Sequence, residues 1–233
     1  MIEPNNIYLG DCLALLDDLQ DNSVDCLITD PPYSIITKYT GGWDLWDKNF
    51  IRNIAAAGLD NFTPRDFLQK IKTKLKKFNA YIFSSKNLLP QYMDFASSNN
   101  YNWDLLVYGK NNPIPGKNNK YLPDREFIMY IRDKGATFDN NQPYDFYRGI
   151  KLVNVHKPVY GHPTEKNAGV ISQLMSISSV SGDTILDPFL GSGTTAAVCY
   201  SLNRKYIGVE INPEYFEAAK QRIADLKIQP ALF

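Results

Sequence analysis

Two stretches of the chain bring together residue types that could do chemistry. The first is Leu27-Ile28-Thr29-Asp30-Pro31-Pro32-Tyr33, an apolar run ending in an acid, two prolines and an aromatic. Proline lacks an N–H, fixes its own φ and pushes the preceding residue toward extended backbone. The loop is therefore stiff and rich in acceptors: the Asp30 carboxylate and neighbouring carbonyls. A rigid acceptor site suits a group with two N–H donors, such as the NH2 of a nucleobase, which conjugation keeps planar and weakly nucleophilic. Accepting both hydrogens favours a pyramidal nitrogen with a localised lone pair. Tyr33 offers a face on which a base could stack, an interaction worth ~1 to 3 kcal/mol. Taken alone, the same four residues also fit a strand-end turn with a buried tyrosine.

The second stretch, Thr184-Ile185-Leu186-Asp187-Pro188-Phe189-Leu190-Gly191-Ser192-Gly193-Thr194-Thr195, reads as strand, acid, glycine turn and helix start. Glycines let a ligand approach the backbone, and Thr194 and Thr195 can open a helix whose free N–H groups face it. Glu210 stands at the end of a further strand, about 20 residues on, where an acid suits the ribose hydroxyls of a nucleoside cofactor. A phosphate-binding loop is disfavoured because GSGTT has no following lysine and the GxGxxG spacing is absent. An acid before the turn fits a cofactor with a positive amino or sulfonium centre. A turn that binds nothing is the alternative when this motif stands alone.

Both stretches need elements to position them. Short runs rich in β-branched and aromatic residues recur at 6–9, 24–29, 80–83, 103–108, 126–131, 184–186 and 206–209 and read as seven strands. Between them lie amphipathic segments. At 63–78, Phe67, Leu68, Ile71, Leu75 and Phe78 fall on one helical face. At 213–226, Pro and Glu open a helix that carries Tyr215, Phe216, Ala219, Ile223 and Leu226 inward. Strands alternating with helices predict a doubly wound α/β domain, with a mostly parallel seven-stranded sheet covered by helices on both faces and ligands at the carboxyl ends of the strands. Two segments, 34–61 and 111–123, read as long surface loops.

The 233 residues fit one α/β domain spanning 1–233. Lysine plus arginine equals aspartate plus glutamate at 25 each, so any polyanion contact must come from a local patch. Lys70, Lys72, Lys74, Lys76 and Lys77 could form a phosphate stripe, but read more simply as the solvated face of a helix. Cys12, Cys26 and Cys199 are scattered and odd in number, which points to plain thiols. His156 and His162 lack partners at ligand spacing, so no metal is expected. No basic N-terminal region precedes an apolar run and no stretch reaches about 18 apolar residues, so a cytoplasmic protein away from membranes is expected.

Together the motifs resemble the β class of amino-methylating DNA methyltransferases, in which the catalytic tetrapeptide precedes the cofactor turn. Asp30-Pro31-Pro32-Tyr33 is similar to the catalytic motif of that family. Asp187 to Thr195, with Phe189, Gly191, Ser192, Gly193 and Thr194, is similar to its FxGxG cofactor motif. His162-Pro163-Thr164-Glu165-Lys166 is similar to the HPTxK segment, which implies that Thr164 and Lys166 help hold the methionine carboxylate. The segment 6–11 is similar to the motif whose acid, here Asp11 followed by Cys12, contacts the cofactor adenine, and Glu210 to the ribose ligand. The resemblance implies S-adenosyl-L-methionine as cofactor and double-stranded DNA as substrate, methylated on a flipped base, with a cognate restriction endonuclease and a homodimer as further partners. Aspartate at the first motif position implies adenine N6 rather than cytosine N4. The cytosine enzyme, and a cofactor- and DNA-binding subunit without turnover, are the alternatives. Target recognition is expected in a short insertion at 109–160, where Lys110, Asn111, Asn112, Lys117, Lys120 and Arg125 can reach phosphates or base edges.

Overall fold

The computed structural model describes residues 2–32, 63–113, 121–155, 159–160 and 165–228. All seven expected strands are present: β1 (Asn6–Leu9), β2 (Cys26–Thr29), β3 (Asn79–Ser84), β4 (Asn102–Lys110), β5 (Arg125–Arg132), β7 (Thr184–Asp187) and β8 (Lys205–Glu210). The sheet holds an eighth, β6 (Ile150–Val153), in the order β1-β8-β7-β2-β3-β5-β4-β6. This corrects the expected count. β6 pairs only with β4 and turns Ile150 and Leu152 to solvent while Lys151 and Val153 point inward. An edge strand with its apolar residues outside carries the inverse of the pattern that reveals a half-buried strand.

Every pairing is parallel except those of β5, which runs against both β3 and β4. Helices cover both faces. On one lie α1 (Cys12–Asp17), α2 (Pro64–Lys74) and α3 (Leu89–Ser98), burying Leu16, Phe67, Leu68, Ile71, Tyr92 and Phe95 against Leu27, Ala80, Ile82 and Leu186. On the other lie α4 (Ala168–Ser178), α5 (Thr194–Ser201) and α6 (Pro213–Ile228), packed on Cys26, Ile28, Tyr81, Phe83 and Ile185. β2 thus buries alternate residues on opposite sides, which is why its sequence is a continuous apolar run.

α2 begins where Thr63 accepts the Asp66 N–H and ends at Leu75, whose backbone is extended, so Phe78 lies beyond the helix. The lysines around it are tied to neighbours: Lys70 to Asp17, Lys74 to Asp21 and Lys76 to Asp25, while Lys72 donates to Asn99 and Lys77 to the Gly135 carbonyl. They act as fasteners of the fold and do not form a free cationic stripe. Among the described residues no helix is long and apolar enough to cross a membrane, and no group of three or more His, Cys, Asp or Glu could hold a metal ion.

Candidate active site

Parallel strands bring their carboxyl ends to one edge, and the acids singled out in the sequence stand there together. Asp30 follows β2, Asp187 closes β7, Glu210 closes β8, and Gly10 and Asp11 follow β1. β2 and β7 are neighbours although 158 residues separate Thr29 from Asp187, and strand order reverses across them. Ligands of doubly wound sheets bind in the crevice at such a reversal. The Thr29 hydroxyl donates to Asp187 Oδ1 at 2.7 Å, fixing the proline loop beside the glycine turn.

Asp187 is 5% exposed. Burial raises its carboxyl from 3.8 to about 6, although hydrogen bonds from Thr195, Thr29 and the Phe189 N–H oppose the rise. A desolvated carboxylate of this kind is best compensated by a cation. The turn that follows is shaped by backbone. Gly191 (φ +56°) and Gly193 (φ +84°) adopt left-handed conformations. A Cβ at Gly193 would meet the Ala219 Cβ at 2.9 Å and its Cα at 3.1 Å, so α5 starts against α6 only with glycine there. Ser192 and Thr194 are buried in this turn, and Phe189 packs against the Phe67 ring at 5.5 Å.

Glu210 fastens the same turn. Its Oε2 accepts the Gly191 N–H and its Oε1 the Asn212 N–H, both at 2.8 Å. Burial raises its pKa against the pull of those N–H donors. The Gly10 N–H donates to the Glu210 carbonyl at 3.0 Å, which brings the end of β1 alongside. Asp11 caps α1 by accepting the Leu13 N–H, and Cys12 is buried, its thiol pushed up to about 12 by burial and then by the Asp11 charge.

On the other side of Asp187, Lys166 Nζ lies 2.6 Å from Asp30 Oδ2 and 2.9 Å from Glu126 Oε2. Glu126 also meets Lys110 at 2.5 Å. Burial alone would raise the Glu126 pKa, but the two ammonium groups outweigh it and hold the carboxyl at about 2. Burial likewise disfavours the Lys166 charge, and Asp30 and Glu126 more than restore it. Glu126 was not singled out in the sequence. Its signal was an acid in register with the inward-facing Ile128 and Tyr130 of β5.

A second buried pair was also missed. Arg222 of α6 donates through Nη1 to Glu165 Oε1 at 2.6 Å and to Thr194 Oγ1 at 3.0 Å, and its guanidinium lies 4.8 Å from the Tyr160 ring centre. Glu165 Oε2 accepts the Val159 N–H at 3.2 Å. The pair joins the segment carrying Lys166 to the glycine turn. Glu165 lay inside a motif already noted, whereas nothing in the sequence marks Arg222 off from a solvated helix arginine.

The residues expected to meet DNA divide into groups. Lys110 turns to Glu126. Asn111 and Asn112 bond to Asn154 and Val155 and stitch the end of β4 to the chain leaving β6. Arg125 is exposed, 3.9 Å from Asp124. Tyr33, Thr164, Lys117 and Lys120, together with His156 and His162, lie outside the described residues.

A family model described as DNA methylase, of the N6/N4 methyltransferase type, matches residues 24–221. The chain belongs to the DNA methylase family. This methylase is 28% identical over 246 residues to the type II methyltransferase M2.MboI of Moraxella bovis, a match covering 95% of this chain and 88% of that one. It is 29% identical over 248 residues to the type II methyltransferase M.HpaI of Haemophilus parainfluenzae, covering 93% and 73% respectively. Among solved structures, the M1.HpyAVI-SAM complex resembles it with a TM-score of 0.68 at 29% identity, over 94% of this chain and 98% of that one.

Proposed function

We propose that this methylase transfers a methyl group from S-adenosyl-L-methionine to the N6 amino group of adenine in double-stranded DNA. The observation that carries the reading is the 2.7 Å hydrogen bond from Thr29 to Asp187, which sets the acceptor loop of Asp30 and Pro31 directly beside a buried carboxylate and a glycine turn. The cofactor supplies a methyl group on a sulfonium centre. The residues fit it: Asp187 is a desolvated acid suited to a cationic group, Gly191 to Thr194 give close backbone approach, Glu210 suits the ribose hydroxyls, and Asp11 with Cys12 borders the adenine end. Thr164 and Lys166 belong to the segment assigned to the methionine carboxylate. The solved M1.HpyAVI-SAM complex supports the same cofactor.

An adenine amino group inside a duplex is stacked and cannot attack the sulfonium methyl in line, so the base must leave the helix, at a cost of a few kcal/mol. Stacking on Tyr33 and hydrogen bonds from N6 to Asp30 and the Pro31 carbonyl would offset that cost. Asp30 and Pro31 then hold the nitrogen pyramidal, and Pro32 keeps the loop stiff. Orientation of this kind can lower a barrier by up to ~7 to 11 kcal/mol without a covalent enzyme intermediate. Target reading is assigned to the 109–160 stretch, and the type II relatives support a cognate restriction endonuclease that cuts the same sequence.

Adenine is preferred because an aspartate in the first motif position, here Asp30, is what the resemblance associates with N6-adenine transfer. The test is methyl transfer from labelled cofactor to mixed-sequence DNA, followed by nucleoside digestion and mass spectrometry. N6-methyldeoxyadenosine is expected. N4-methyldeoxycytidine would overturn the base assignment, and an active Asp30→Ala enzyme would overturn the role of the loop.

A further inference from the structure

Among the described residues β5 is the one reversed strand of the sheet, and its reversal puts its first residues, not its last, at the carboxyl edge where the acids gather. Glu126 stands there, opposite Tyr108 in the β4 register and one residue from Phe127, which pairs with Ser84 of β3. It meets two ammonium groups, Lys166 and Lys110, and Lys166 in turn meets Asp30. The side chains of this row are 10–25% exposed, so water screens them weakly. Lys166 is boxed in further by the Phe83 ring, 5.1 Å away, and by Tyr108, whose hydroxyl accepts the Asn167 N–H.

A carboxylate covered by one dedicated lysine is a poor acceptor for an incoming amino group, because the ammonium occupies the oxygen and cancels the charge. Sharing that lysine with a second carboxylate changes the balance. Asp30, Lys166 and Glu126 together carry a net charge of −1, which Lys110 neutralises at the Glu126 end of the row. A residual negative charge at the Asp30 end favours both a sulfonium donor and the positive charge that grows on a nitrogen as it is methylated.

We propose that Glu126 is a positioning residue for the methyl transfer, which shares Lys166 with Asp30 so that the Asp30 carboxylate stays available to the substrate amino group. The fixed protonation states agree, since both Glu126 and Lys166 are held firmly charged by their partners. The inference rests on the proposed function and adds to it a residue outside both motifs.

Glu126→Gln is nearly isosteric, removes the charge and leaves one acceptor oxygen where the carboxylate offered one to each lysine. With DNA and cofactor saturating, its single-turnover rate should fall at least tenfold, while the KM for S-adenosylmethionine stays within threefold and Glu126→Asp recovers most of the rate. A loss of less than tenfold from the rate of the unaltered enzyme overturns the proposal. So does a loss matched by an equal rise in the cofactor KM, which would place the action of Glu126 on cofactor binding. If Glu126→Gln does not fold, Glu126→Asp decides: a rate within fivefold supports charge sharing, and any larger loss refutes it. Failure of the unaltered enzyme to methylate any base sinks the functional reading itself, and is distinguished from these outcomes by the wild-type control.

Discussion

Asp187 is asked to be a carboxylate in a place where carboxylates are disfavoured, and replacing it by asparagine should separate stability from binding. Burial lifts its pKa from 3.8 to about 6 in the folded protein. The fold therefore holds this proton more tightly than the unfolded chain does. That contribution is complete below about pH 3.8 and is lost as pH rises through about 6. At pH 7.5, ionising Asp187 costs the cofactor-free protein about 3 kcal/mol, since each pKa unit corresponds to ~1.4 kcal/mol. An asparagine in its place would keep an acceptor for Thr29 and Phe189 with no charge to desolvate, so Asp187→Asn is expected to stabilise the cofactor-free enzyme by about 1 to 3 kcal/mol. For a chain of this size, that is a rise in melting temperature of about 2 to 12 °C at pH 7.5. The gap should shrink to roughly a third at pH 4.5, where the folded carboxyl is protonated and only the unfolded one still ionises. Cofactor affinity should move the other way, falling tenfold or more through the loss of a charge-assisted contact. Paired scanning calorimetry and titration calorimetry at the two pH values measure both. A variant that melts at or below the wild-type temperature at pH 7.5, or a gap undiminished at pH 4.5, would refute the argument from desolvation.

Glu210→Ala should weaken cofactor binding and loosen the glycine turn, because the Gly191 N–H loses its acceptor; unchanged affinity by calorimetry would contradict the ribose assignment. Arg222→Ala removes the cationic partner of Glu165, a mostly covered carboxylate left with only backbone N–H donors, and should destabilise the protein by about 3 kcal/mol; adding Glu165→Gln should recover part of the loss, and a double variant no more stable than the single would show that the pair is not what matters. Gly193→Ala forces a side chain into a left-handed backbone 2.9 Å from the Ala219 Cβ, and should cost about 1 to 3 kcal/mol and abolish cofactor binding in an equilibrium assay, so a stable variant with normal affinity would be inconsistent with this packing.

What could be read from the residues was whatever a local pattern encodes. The strands inside the sheet announced themselves because each buries residues and is rich in β-branched or aromatic residues, and β1 at the edge showed through Ile7 and Tyr8. β6 did not, since an edge strand with Ile150 and Leu152 outside and Lys151 inside inverts that pattern. The end of α2 was overrun for a related reason: Phe78 continues the apolar spacing of the helix, yet it reaches the core from the extended chain after Leu75. Lys74 and Lys76 had the composition of a solvated face, and only the packing of α2 beside α1 supplied Asp21 and Asp25 as their partners.

The candidate site divides along the same line. Asp30, Asp187, the glycine turn and Glu210 were legible because each depends on neighbours in the chain: a proline that stiffens its own loop, a glycine that permits its own φ, an acid at the end of its own strand. Their meeting at one edge also followed from sequence, because alternating strands and helices impose parallel pairing. Glu126, Lys110 and Arg222 depend on partners far along the chain, and those contacts exist only once β5 runs backward between β3 and β4 and α6 lies against the glycine turn. Family, acceptor loop and glycine turn were thus written in local residue order. Which charges face one another was settled by the folded arrangement, because long-range Coulomb partners are set by strand direction and helix packing, which leave no periodic mark on the residues that meet.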